Sequence, residues 1–84
     1  MTLDQGMSQG VAQQIIEAIR EKIPDAIVDA SGGDGHYRIA VTSVQFAGRS
    51  SLERQRLVYS AIAQLMAGDR APVHAVDQLK TMTP

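Results

Sequence analysis

The stretch "AIVDASGGDGHYRIAVTSV", residues 26–44, decides the fold. Its opening, "AIVDAS", has the β-branched content of a strand. Its close, "HYRIAVTSV", alternates, with Tyr37, Ile39 and Val41 on one face and Arg38, Ala40 and Thr42 on the other. Two such runs joined by "GGDG" predict a β-hairpin. The same glycines precede His36, so the loop also has to be weighed as a phosphate cradle and as a mobile arm that carries an imidazole to a metal.

Working outward, "VAQQIIEAIREKI" places Val11, Ile15, Ile16, Ile19 and Ile23 at helical spacing, with Gln13, Gln14, Glu17 and Lys22 on the opposite side. Pro24 disfavours helical geometry at Ile23 and closes the element. Beyond the hairpin, "FAGRSS" is a loop, and Ser50 followed by Glu53 forms a capping box that starts a second helix near Ser51. That helix is expected to bury Leu52, Tyr59, Ile62 and Met66, with Val58 and Leu65 beside them and Gly68 as its C-cap. "VHAVDQLKTM" reads as a third strand, which gives the order α-β-β-α-β. So short a chain buries two helical stripes most economically in two layers, both helices on one face of a three-stranded sheet and the other face partly solvated.

The chain has 84 residues, enough for one domain with a thin core. Residues 1–9 are expected to be a flexible tail and 10–84 the domain. There is no cysteine, so neither a disulfide nor a thiolate site supports the fold, and this fits a reducing compartment. The first ten residues lack a basic start and an apolar core, and no apolar run is long enough to span a membrane, so a cytoplasmic protein is expected. Charge is uneven: residues 1–35 hold six acids against Arg20 and Lys22, whereas residues 36–70 hold five arginines against Glu53 and Asp69. An anionic partner would therefore be met in the middle of the chain.

"GGDG" formally matches the GxxG of a KH domain, but that loop joins two helices and this one joins two strands. Asp34 would repel phosphate, and no helix follows directly to receive it. His36 and His74, 38 residues apart, cannot alone make a structural zinc site, which needs four ligands, but they can supply part of a shared one. No nucleophile elbow or paired-carboxylate spacing is present, so the chain is not expected to be an enzyme. Arg49, Arg54 and Arg56, around the loop and the start of the second helix, are candidates for contacts with nucleic-acid phosphates.

Together, "SGGDGHYRIAVTSVQFAGRSSLERQRLVYSAI" and "VHAVDQLKTMTP" resemble the BolA family, in particular its IbaG-like, acid-response branch, over about residues 11–84. The resemblance implies an α+β, class II KH-like fold without a functional GxxG loop. It also implies a monothiol glutaredoxin partner and a shared [2Fe-2S] cluster, in which the glutaredoxin cysteine and glutathione supply thiolates. The BolA-like chain then supplies two side chains, here matched by His74 as main ligand and His36 as an exchangeable second on a mobile loop. The isolated chain would hold no cluster and would be a monomer or weak homodimer. Other BolA-like proteins are described as DNA-binding transcriptional regulators, which makes Arg49, Arg54 and Arg56 the alternative site, although a net charge of −1 is poor for phosphate-driven affinity. Two departures stand out. Gln55 replaces a histidine common in the family and is expected to pack on the inner stripe, and "HAVDQLKTMTP" is one residue longer than the usual spacing, which predicts a bulge in the last strand.

Overall fold

A computed structural model of the protein describes residues 3–84, with side chains from residue 10 onward. The elements are α1 (Leu3–Lys22), β1 (Ile27–Gly33), β2 (His36–Thr42), α2 (Ser51–Ile62) and β3 (Ala75–Met82), with 3-10 turns at Val44–Phe46 and Ala63–Met66. The backbone of α1 thus begins before Val11, where the apolar spacing starts. The tail expected over 1–9 falls on residues that are outside the described set, either wholly or in their side chains.

The hairpin forms as the sequence predicts, but more tightly. Gly33 pairs with His36, which leaves Asp34 and Gly35 as a two-residue turn. Both have positive φ, 54° and 83°, the geometry that matches the twist of antiparallel strands and that Asp-Gly adopts readily. His36 therefore belongs to a strand and is not carried on a mobile loop, contrary to the sequence-based expectation.

β2 is the central strand, antiparallel to β1 and parallel to β3. Tyr37, Ile39 and Val41 point from its inner face into a core with Ile15, Ile19 and Ile23 of α1 and Val58 and Ile62 of α2. Phe46 and Val73 complete that core from the connections. Each fully buried aliphatic or aromatic side chain contributes about 1.5–3 kcal/mol relative to exposure. The helices cover this one face, α1 over β1 and α2 beside β3, while Asp29, Ser31, Arg38 and Lys80 lie exposed on the other. The two-layer α+β expectation is met.

The capping box of α2 is complete: Ser50 Oγ accepts from the Glu53 amide at 3.1 Å, and the Glu53 carboxylate accepts from the Ser50 amide at 2.9 Å. The expected buried stripe is met in part: Val58 and Ile62 are fully buried and Leu65 and Met66 pack against the core, but its N-terminal members are not inward. Leu52 and Tyr59 are 52% and 37% exposed, and Gln55, between them on the same stripe, is exposed and makes only a long 3.5 Å contact to Ser51 Oγ. The helix adds Leu57 and Ala61 to Val58 and Ile62 on its inner side, and Leu65 and Met66 follow from the 3-10 turn. Arg54, one turn before Val58, lies on the same side: its guanidinium is 5.8 Å from the Phe46 ring centroid, so a charged residue covers the core edge.

β3 starts at Ala75, so Val73 and His74 precede the strand they were expected to open. The predicted bulge is present. Tyr37 pairs with Val76 and Arg38 with Gln78, which leaves Asp77 as the extra residue. Asp77 and Gln78 are consecutive exposed residues, after which alternation resumes with half-buried Leu79.

Candidate functional site

The parallel register places Ala75 opposite His36, so His74, just before β3, and His36, at the start of β2, stand at the same end of the sheet. The junction is fixed by one carbonyl: Gly35 O accepts from the amides of His74 at 2.8 Å and Ala75 at 3.0 Å. Gly35 is buried, and a Cβ there would overlap the His74 ring, so glycine serves both the positive φ and the seat of the imidazole. His74 itself is exposed.

His36 faces the open side of the sheet. Its Nδ1 lies 3.1 Å from Asp77 Oδ1, with the two side chains 58% and 52% exposed. An ionised carboxylate only accepts hydrogen bonds, so this contact is a hydrogen bond when Nδ1 carries the proton. Asp77 escaped the sequence-based analysis, although its signal was the extra residue in the last strand.

Among the described residues no group of three or more His, Asp or Glu side chains is arranged to hold a metal ion. At this end of the sheet the chain offers two histidines, His36 and His74. The hairpin offers no phosphate cradle, since its turn leads into a strand and not into a helix N-terminus.

The basic candidates are more committed to the fold. Arg49 Nε donates to Gln45 O at 2.9 Å, and Arg54 Nε donates to Arg49 O at 3.2 Å while covering Phe46. Arg56 is exposed. Open-face residues Asp29, Ser31, Arg38, Gln78 and Lys80 line a shallow depression of about 190 Å³, a surface of mixed charge.

A second polar cluster, at the opposite end of β2, was not found from the sequence. Ser43 is fully buried; its Oγ donates to Asp25 Oδ1 at 2.7 Å and accepts from the Gln45 amide at 3.0 Å. Its own amide donates to Met82 O at 2.9 Å, and Asp25 Oδ2 accepts from the Val44 amide at 2.9 Å. The hydrogen bonds, from the Ser43 hydroxyl first and the Val44 amide second, hold the Asp25 carboxyl below its ordinary pKa. This network ties the α1–β1 turn to the ends of β2 and β3. No described helix is long and apolar enough to cross a membrane.

Known proteins are similar to this chain in sequence and in fold. BolA-like protein 1 from human and from mouse is 43% identical over 53 and 54 residues, or 63% and 64% of this chain. The match spans only 36% of each of those longer proteins. Among solved structures, a BolA homologue from Coxiella burnetii superposes with a TM-score of 0.71 at 34% identity, covering 86% of this chain and 88% of that one. A Bol-like protein from Babesia bovis gives 0.66 at 36% identity, covering 86% and 83%. The model of the BolA-like protein family matches residues 11–84, from the apolar stripe of α1 through both histidines to the end of the chain, and the chain belongs to that family.

Proposed function

We propose that this chain is a non-enzymatic cytoplasmic adaptor that docks a monothiol glutaredoxin and supplies His74 and His36 to a shared [2Fe-2S] cluster, in cluster maturation, trafficking or iron sensing. The observation that carries this reading is the shared position of the two imidazoles at one end of the sheet in a chain without cysteine. Imidazole in place of thiolate raises the reduction potential of such a cluster. Neutral imidazole must be available for ligation, so binding competes with protons. The chain's own contribution is positional: the Gly35 carbonyl fixes the backbone at His74, and the Asp77 carboxylate fixes the ring of His36. Thiolates would come from the glutaredoxin and from glutathione.

The DNA alternative draws less support. A net charge of −1 is poor for phosphate-driven affinity, and the Nε atoms of Arg49 and Arg54 are already turned to backbone carbonyls, which leaves only their terminal Nη groups for phosphate.

Anaerobic reconstitution with the monothiol glutaredoxin and glutathione, read by visible absorption and circular dichroism, tests the proposal. The mixture is expected to give a spectrum distinct from that of the glutaredoxin alone, and His74→Ala to abolish the difference. A mixture identical to the glutaredoxin alone, together with a silent His74→Ala, refutes it.

A further inference from the structure

Asp77 has no role in closing the core, since it is exposed on the open face of the sheet and faces another exposed side chain. It nevertheless depends on a specific backbone irregularity. In a regular strand one outward side chain would stand opposite Arg38. The bulge provides two: Gln78 takes the Arg38 register, and Asp77 is left free of it to meet His36. The carboxylate contacts one ring nitrogen only, Nδ1.

We infer that Asp77 is a positioning residue for His36: it accepts the Nδ1 proton and thereby leaves Nε2 as the outward, lone-pair-bearing nitrogen for an external metal centre. The inference rests on the shared-cluster reading for the identity of that centre, but the tautomer is a property of the chain alone. Neutral histidine carries its proton on one nitrogen, and the partner of that nitrogen selects which. A carboxylate on the far nitrogen also orients the ring and strengthens the other nitrogen as a ligand, as outer partners of metal-bound histidines do. Without Asp77 the ring would be free to rotate and to present either nitrogen. The bulge is then the device that adds a carboxylate to the open face without shifting Leu79 out of the inner layer.

The test has two arms. On the isolated chain at about pH 8.5, above the usual titration range of imidazole, two-bond 1H–15N correlation spectra read the His36 tautomer directly, with His74 as internal reference. The wild type is expected to be mainly Nδ1–H. Asp77→Asn, whose amide oxygen still accepts, should retain part of that preference, and Asp77→Ala should lose it with the thermal midpoint unchanged. In the second arm, the reconstituted complex with glutaredoxin is challenged with an iron chelator, and Asp77→Ala is expected to release the cluster about 10-fold faster, following the usual cost of losing an outer partner. An unchanged tautomer in Asp77→Ala overturns the inference. So does a complex in which His36→Ala alters the spectrum or release rate while Asp77→Ala matches the wild type. If His36→Ala and His74→Ala are both silent, it is the shared-cluster reading that falls, and the ligand role of Nε2 with it. The tautomer arm then still decides whether Asp77 holds the ring.

Discussion

The two ends of β2 carry polar clusters of opposite character. Past Thr42, Ser43 is fully buried and uses its amide and its hydroxyl on three partners from three parts of the chain. No buried side-chain nitrogen or oxygen among the described residues lacks a partner. At the other end, His36 and His74 are exposed, and the one side-chain bond there, His36 to Asp77, occupies a single ring nitrogen. A closed network of this kind lowers the energy of the fold, because breaking it leaves a desolvated group unmet. An open cluster contributes little to folding and leaves its lone pairs available to an external group. The first end is built for stability and the second is the one proposed to act, and each reading can be broken separately.

Removing the Ser43 hydroxyl should have the largest effect on folding. Ser43→Ala leaves the Gln45 amide without its acceptor and Asp25 without its strongest donor. Each hydrogen bond made by a buried side chain contributes about 0.5–1.5 kcal/mol, the fully buried Ser43 side chain loses both of its own, and in a domain of this size each kcal/mol lowers the melting temperature by about 4–8 °C. Thermal melting should show that loss while the histidine resonances at the far end stay in place. A variant as stable as the wild type would mean that the network is incidental.

Gly35→Ala reaches the open end through its backbone. A positive φ costs a residue with a Cβ about 1–2 kcal/mol, and the added carbon would displace the His74 ring from its seat. Urea unfolding should report the first effect and the His74 ring resonances the second. Unchanged ring shifts would show that His74 is not seated on Gly35. Of the substitutions considered, this one should disturb stability and site together, because the glycine carbonyl joins the hairpin to β3.

Much of this was legible in the sequence, and what was not has a physical cause. The hairpin, the capping box and the bulge are local, each written within about a dozen residues. The inner stripe of α2 is not local. Ile62 fits both possible stripes, and the choice between them is made in the packed core, where the cover of Phe46 by Arg54 looks from the sequence like a solvated charge. Leu52 and Tyr59 then turn outward with Gln55. Ser43 was missed because its partner Asp25 lies 18 positions away in a turn with no motif of its own. His36 and His74 were found by family resemblance, whereas their placement at one end of the sheet needed the parallel register.

The smallest expected effect is on the acid limb of stability, and it sharpens the closed end further. Hydrogen bonds from Ser43 and Val44 hold Asp25 below its ordinary value of 3.8. A depressed folded-state pKa means that the unfolded chain binds the proton more readily. The contribution is therefore present in full above about pH 4 and is lost as pH falls through the lower, folded-state value. Solvent reaches this exposed carboxylate, which screens the effect and keeps it small. Urea unfolding midpoints measured through the acid range should fall less steeply for Asp25→Asn than for the wild type, because that titration has been removed. Parallel curves would place the acid sensitivity in other carboxylates and reduce the Asp25 bonds to geometry. The same series on His36→Ala should run parallel to the wild type below pH 4, since that substitution lies at the open end and leaves the Ser43 network intact.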